Sequence, residues 1–318
     1  MQSTIGRAQA IAARAPRVRK LSARERRRHL QNWLLLAPQL ALFLFVTVAP
    51  AIIGAPMLFT DRTRFRDPEV NFIGLANFTR VFWDKHIARD FWPALIRTAR
   101  FTAVNTLGAY LFGFTLALLM YEVGFKGGVF TMIYMPYMLS GLALGFIALM
   151  LFGQSTGMIN LVLEELGILK EPINIKTALG ITVALPFLEG WRYAGWNMAI
   201  FLSGLLSIPG GTIESAVVDG ATYLQRLWYI YLPQMIPTLI IVGTFGLMGS
   251  FQIFDVLIPL GAMQGNEQAE FMSIFIFKYG FTANKLALGL TLSIETLLPL
   301  MGIVVFLNWL QKRLSYEI

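Results

Sequence analysis

The chain contains no cysteine. That excludes disulfides, thiolate-bound metals, iron–sulfur clusters and a thiol nucleophile. Its two histidines, His29 and His86, are far apart in sequence and form no metal-spaced pair. Charge is scarce as well, with 14% charged residues where a soluble domain carries about a quarter. No Gly-x-x-x-x-Gly-Lys-Ser/Thr phosphate loop occurs anywhere, so the chain has no ATP site of that kind. Acids are nearly missing from the start of the chain. Glu25 alone accompanies the basic run "RAPRVRKLSARERRRHL" there.

What the sequence has in abundance is long apolar runs. Of its 318 residues, 56% are hydrophobic. Six stretches approach or exceed the roughly 20 apolar residues that cross a bilayer core about 30 Å thick. They are Asn32–Phe59, Phe101–Tyr121, Gly128–Gly153, Ala178–Leu206, Thr238–Leu260 and Leu286–Leu310. All are expected to be helices, because a backbone in lipid must satisfy its own hydrogen bonds. Pro50, Pro136, Pro186 and Pro299 fall in or near these spans, and each is expected to kink its helix. The sequence therefore predicts an all-α membrane protein with six transmembrane helices. A basic tail (1–31) precedes a membrane domain (32–318).

Basic residues flanking a span stay on the cytoplasmic side. The tail is read in that way, rather than as a nucleic-acid site or a transit peptide, and it places the N-terminus inside. Six crossings return the C-terminus to the same side, with Lys312 and Arg313 just past the last span. Segments Asp61–Arg100, Gln154–Thr177 and Gly261–Lys285 then face outside. Glu122–Gly127 and the longer Ser207–Pro237 face inside.

The inner segment 207–237 is unusual. "IPGG" is expected to stop the fourth span, and Thr212 is expected to cap a new helix. Asp219–Gly220 is expected to break that helix, since glycine accepts turn dihedrals. A second helical piece then ends at Pro233 and Pro237. Small residues (Ser215, Ala216, Gly220, Ala221) lie beside apolar and aromatic ones (Val217, Val218, Leu227, Trp228, Tyr229). Such a surface suits docking of a partner rather than solvation alone.

This segment resembles the EAA loop of permease subunits of binding-protein-dependent ABC importers. Glu214-Ser215-Ala216, Gly220 and Ile230-Tyr231-Leu232-Pro233 carry the likeness, with Ser215 where the family usually has alanine. Ile208–Pro209 and Asp219–Ala221 look like the carbohydrate branch. So do "FIGLANFTRVF" (Phe72–Phe82), "GMINLVLEELGI" (Gly157–Ile168) and "FQIFDVLIPL" (Phe251–Leu260). The turn that follows, "GAMQGNEQ", departs from the family's T-x-G-G-P pattern. The likeness covers Asn32 to the C-terminus.

The resemblance implies a type I ABC importer permease fold, with both termini cytoplasmic, in a bacterial inner membrane. It implies that Glu214, Ser215, Ala216, Asp219, Gly220, Ala221, Leu232 and Pro233 couple to an ATP-binding subunit pair. ATP and Mg are then held by that partner, and this chain carries no cofactor or metal. The remaining implied partners are a second homologous permease, an extracytoplasmic solute-binding protein and membrane lipid, with no nucleic acid.

Ionisable residues inside spans are functional candidates. Glu189 and Arg192 are spaced to pair on one helix face. With Trp191, Tyr193, Trp196 and Asn197 they form a polar and aromatic cluster suited to a sugar's hydroxyls and ring face. Gln252 and Asp255 are further candidates for the solute path, and Glu295 is read as structural. Gly141 and Gly145, and Gly243, Gly246 and Gly249, read as close-packing surfaces. An ion-gradient-driven secondary transporter is the alternative, although no inverted repeat is visible. A membrane enzyme is the third reading. "GQSTG" (Gly153–Gly157) has the spacing of a nucleophile elbow, but an apolar helix rather than a strand precedes it.

Overall fold

The computed structural model describes residues 22–67, 69–124, 127–155, 157–168 and 170–315. The greater part of the expected basic tail, residues 1–21, lies outside the described residues. The chain divides into two units, Met1–Pro56 and Met57–Ile318. In the first, α1 (Ala23–Phe43) opens on a capping box. Ser22 Oγ accepts from Glu25 N at 3.2 Å, and Glu25 Oε2 accepts from Ser22 N at 2.7 Å. Both orphan donors are thereby satisfied. The helix runs on through Leu44–Val48 into α2 (Ala49–Gly54). Beyond its basic first turns the helix is apolar, and Leu34, Leu35, Leu42 and Phe45 are exposed, as suits a stretch apolar on all sides in a lipid environment.

The second unit is helical throughout its regular structure. Its elements are α3 (Ala76–Trp83), α4 (Lys85–Val123), α5 (Gly127–Tyr134), α6 (Gly141–Phe152) and α7 (Met158–Glu165). They continue with α8 (Leu185–Leu206), α9 (Gly210–Val218), α10 (Tyr223–Arg226), α11 (Leu232–Gln234) and α12 (Ile236–Phe251). The last are α13 (Met272–Phe277) and α14 (Leu286–Ser315). Among the described residues no strand forms, and Thr60–Phe72 is an isolated bridge.

The long α4 and α8 pack along their length, with α12 against both. Small residues set the approach. A Cβ on Gly113 would fall 2.4 Å from Asn197 Cβ, and one on Gly190 would sit 3.6 Å from Ala109 N. Gly243 and Gly246 of α12 meet Tyr110 and Thr106 of α4 in the same way. Asn197 Nδ2, buried in this seam, donates to Ala109 O at 3.1 Å. The core gathers around Phe201, Met198 and Tyr231 towards one end of α8 and around Leu144, Leu185 and Leu257 towards the other.

Three prolines share one local solution. Pro50, Pro186 and Pro233 each follow a π-helical turn, Leu44–Val48, Gly180–Ala184 and Leu227–Tyr231. In each case the residue just before proline donates five residues back: Ala49 to Leu44 O, Leu185 to Gly180 O and Leu232 to Leu227 O. Proline has no N–H, and its ring clashes with the carbonyl four residues earlier. The widened turn relieves that clash.

Several expected boundaries move. Arg27–Phe59, Lys85–Val123 and Leu286–Arg313 are long and apolar enough to cross a membrane. The third, fourth and fifth expected spans belong to bent pairs. Gly127–Met138 meets Gly141–Phe152 at 94°, and Gly180–Leu206 meets Gly210–Val218 at 72°. Tyr223–Gln234 meets Ile236–Phe251 at 68°. The first break holds Pro136 and an extended Leu139, after which Ser140 Oγ accepts from Ala143 N and restarts the helix.

The second span begins at Lys85, not Phe101, so the segment expected as an outer loop includes four helical turns and α3 as well. Asp84 caps that start by accepting from His86 N at 2.9 Å, and Ile87, Phe91 and Ala94 are buried with Met272 and Phe275. The fifth helix ends at Phe251, not Leu260. Phe254 leaves helical geometry (φ −139°, ψ −62°), and a short 3-10 turn at Asp255–Leu257 buries Val256 and Leu257. That turn lies so close to α6 that a Cβ on Gly145 would come within 2.6 Å of Val256 O.

The segments between helices are pinned by single polar residues. Asn160, 2% exposed, donates to Gly153 O (3.0 Å) and Ile173 O (2.8 Å) and accepts from Ile173 N (2.9 Å). Asn266 Nδ2 donates to Leu260 O and Lys176 O, closing the divergent "GAMQGNEQ" turn, where Gly261 and Gly265 have φ of 91° and 93°. Asp67 accepts from the backbone N–H of Arg64 and Thr63 and the Thr63 hydroxyl. These bonds hold its carboxyl below the usual aspartate range.

Candidate functional site

Two places in the second unit carry the residues singled out in the sequence. The first is a cavity of roughly 330 Å³ where α4, α8, α12, the break at Tyr137–Gly141 and the turn at Gln252–Val256 meet. It collects Glu189, Arg192, Tyr193, Trp196, Asn197, Gln252 and Asp255. Trp191 is not among its lining residues and is exposed. One helical step beyond Gly190, it is turned about 100° round α8 from the face that packs on α4.

The cavity has a charged floor and an aromatic wall. Arg192 Nε lies 3.2 Å from Glu189 Oε2, an ion pair whose side chains are 11% and 2% exposed. Arg192 Nη2 donates to the Tyr193 hydroxyl at 2.9 Å and Nη1 to Leu139 O at 3.4 Å. The guanidinium also lies 4.7 Å from the Tyr193 ring centroid. The wall is Tyr137 stacked against Trp196 (6.3 Å, 23°), with Phe245 edge-on to Trp196 at 5.6 Å. Asp255 and Gln252 reach the cavity because the helix has already ended at Phe251.

Sequence reasoning missed part of this lining. Asn105, Thr106 and Ser250 contribute polar groups, and Tyr137 and Phe245 contribute rings. An asparagine inside an apolar span was the available signal for Asn105. Asn105 Oδ1 and Glu189 Oε1 are buried and accept no hydrogen bond among the described residues. Gly249 lines the cavity rather than packing on a helix, since a Cβ there would meet open space. Glu295 lies outside the cavity lining, and neither of its carboxylate oxygens has a partner among the described residues.

The second place is the segment 207–237. Two short helical pieces form as expected, α9 and then Tyr223–Gln234. The first starts at Gly210 after Pro209, and Thr212 lies inside it rather than capping it. Pro209 has already set the extended residue from which the helix begins. The second piece has the true cap: Thr222 Oγ1 accepts from Gln225 N at 3.4 Å, and Gln225 Oε1 accepts from Thr222 N at 2.8 Å. Between them Gly220 has φ 79°, with open space where a Cβ would stand.

Glu214, Ser215, Asp219 and Gly220 are exposed, and Ala216 and Ala221 half-buried. Asp219, Gly220 and Ala221 line a shallow concavity with Arg226 and Tyr229. Around it Val218 is 87% and Tyr229 80% exposed, with Val217, Leu224 and Trp228 also outward. Leu232 and Pro233 are half-buried at the far end, beside the buried Tyr231.

A helical bundle of broken spans, with a polar cavity and an exposed apolar hairpin, fits a membrane transport subunit. Residues 109–316 match the family described as binding-protein-dependent transport system inner membrane component, and the chain belongs to that family. It is a transport permease subunit, not an enzyme, and in such systems ATP is hydrolysed on a separate subunit. It is 28% identical over 286 residues to the probable starch degradation products transport system permease protein AmyD of Thermoanaerobacterium thermosulfurigenes, covering 90% of this chain and 95% of that protein. It is also 28% identical over 295 residues to the sn-glycerol-3-phosphate transport system permease protein UgpA of Agrobacterium fabrum, covering 89% and 96%. Its fold is similar to that of a chain in the crystal structure of a bacterial ABC transporter that imports the acidic polysaccharide alginate. The TM-score is 0.75 at 24% identity, over 90% of this chain and 96% of that one.

Proposed function

We propose that this chain forms half of the translocation path of an ATP-driven importer for a sugar or glycoside-type solute in a bacterial inner membrane. Its 32–318 domain crosses six times, with both ends and segment 207–237 cytoplasmic and the basic tail 1–31 held inside. A second homologous permease completes the path, and an extracytoplasmic binding protein delivers solute. Segment 207–237 docks on an ATPase of the pair that carries ATP and Mg, and Glu214, Ser215, Ala216, Asp219, Gly220, Ala221, Leu232 and Pro233 transmit its motion. The relatives named for starch products and for glycerol phosphate support a carbohydrate-like solute.

The observation that carries the coupling role is the exposed hairpin around Gly220. Apolar side chains as open as Val218 and Tyr229 cost solvation unless a partner covers them. The glycine turn lets the two pieces meet at a small-residue corner. The test is the assembled importer with loaded binding protein. Glu214→Lys is expected to abolish stimulation of ATP hydrolysis while binding-protein delivery persists. Normal stimulation in that variant would show that the hairpin does not couple.

A further inference from the structure

We infer that the cavity beside Glu189 and Arg192 is built for an uncharged, polyhydroxylated solute and turns phosphorylated or carboxylated ones away. The inference rests on the reading that this cavity is part of the solute path, and it goes further by fixing the charge of what passes. Family membership leaves that charge open, because glycerol phosphate is an anion and starch fragments are neutral.

The cations decide first. The strongest side-chain grip on phosphate or carboxylate is a free guanidinium fork or a lysine. Among the described lining residues Arg192 is the one cation, and its guanidinium is already partly committed to the protein. Nε faces Glu189, Nη1 donates to Leu139 O and Nη2 donates to the Tyr193 hydroxyl. The Tyr193 ring packs on the guanidinium as well. Its charge is offset by the Glu189 carboxylate 3.2 Å away, and each Nη already spends one donor on the protein, so it is not a free fork for an anion.

The acceptors point the same way. Glu189 Oε1 and Asn105 Oδ1 are buried in residues 2% and 5% exposed and accept no hydrogen bond among the described residues. A buried acceptor without a donor is costly, so the favourable occupant is one that brings hydroxyl donors. Asp255 adds a second carboxylate at the exposed rim. An anion entering there meets two carboxylates against one engaged cation, in a setting where water screens weakly. The rings of Trp196, Tyr137 and Phe245 offer apolar faces to the C–H side of a pyranose. At roughly 330 Å³ the cavity is at the small end of ligand pockets, about 300–1,000 Å³, which limits the occupant to a short saccharide.

The test uses the assembled importer in nanodiscs, without nucleotide or binding protein, so that only the membrane site is read. Saturation-transfer NMR compares methyl glucoside with methyl glucuronide, which differ in a carboxylate. The glucoside is expected to bind at least about tenfold more tightly. Asn105→Leu is expected to remove its signal. Asp255→Asn is expected to narrow the preference, and Asp255→Lys to reverse it. If the glucuronide binds as tightly as the glucoside and Asn105→Leu removes both, the charge rule is overturned while the cavity stays on the path. If neither sugar gives a signal that responds to Asn105→Leu at tens of millimolar, the cavity holds no solute, and the path reading falls with it.

Discussion

Asn105 Nδ2 donates to Ser250 Oγ at 2.7 Å, joining the middle of α4 to the last turn of α12 at the edge of the cavity. Both residues are about 95% buried. The bond ties the last turn of α12 to α4 beside the place where Gln252 and Asp255 line the cavity. A hydrogen bond between membrane helices contributes about 0.6 kcal/mol on average, with a maximum near 1.7 kcal/mol. A double-mutant cycle of Asn105→Ala and Ser250→Ala, read by unfolding of the purified complex, is expected to give a coupling energy in that range. Additive losses would mean that the two side chains do not support each other.

That contact also shows what the sequence could reveal. The apolar runs, the hairpin around Gly220 and the Glu189–Arg192 pair are local features, and each could be read from spacing. Asn105 and Ser250 are 145 residues apart, and nothing in a single sequence pairs them. The end of α12 was illegible for a related reason. Gln252 to Leu260 is as apolar as the helix before it, but tertiary packing of Val256 and Leu257 against α6 pulls it out of helix. The π turns were half legible. Pro50, Pro186 and Pro233 marked the places, while the way the backbone absorbs each proline is visible only in its hydrogen bonds. Thr222 is legible in the sequence: T-x-x-Q is a capping box, two residues after the glycine.

Arg192 and Glu189 are expected to be asymmetric under mutation. Arg192→Ala leaves a carboxylate that is 2% exposed without its partner. Breaking a buried pair from one side costs roughly 3–5 kcal/mol, whereas removing both partners costs much less. The Arg192→Ala, Glu189→Ala double variant is therefore expected to recover most of the stability lost in Arg192→Ala. Transport is expected to stay impaired in both, because the cavity has lost its polar floor. Thermal unfolding and proteoliposome uptake measured on the same preparations separate the two effects. Restored uptake in the double variant would make the pair purely structural.

The segment after the first apolar helix is expected to loosen in acid. Asn71 donates to Asp61 through its side chain and backbone, and Arg64 and Thr63 donate to Asp67. Both carboxyls are held below the ordinary aspartate value of 3.8, through the Asn71 side chain at Asp61 and the Arg64 backbone at Asp67. A depressed folded-state value means that the stabilisation is complete above that ordinary value and is lost as pH falls through the lowered one. Hydrogen exchange at the amides of Thr63, Arg64 and Asn71 is expected to speed up only below that point, after correction for intrinsic rates. Asp67→Asn is expected to abolish the pH dependence at Thr63 and Arg64. The same acid response in Asp67→Asn would assign it elsewhere.

Gly220 is the position where backbone and docking requirements can be separated. Its φ of 79° is left-handed, and a Cβ there meets nothing within 4 Å in this chain. A non-glycine residue pays about 1–2 kcal/mol for that conformation, and asparagine pays least. Gly220→Asn is therefore expected to keep the turn, whereas Gly220→Val is expected to distort it in the isolated subunit. If the corner packs against an ATPase, both variants are expected to lose coupled ATP hydrolysis, because both place a side chain in the contact. If only the turn matters, Gly220→Asn is expected to couple normally and Gly220→Val to fail. Stimulation of ATP hydrolysis by loaded binding protein, measured alongside hydrogen exchange of Asp219 to Thr222, distinguishes the cases. Docking predicts the outcome in which Gly220→Asn has native exchange and no stimulation.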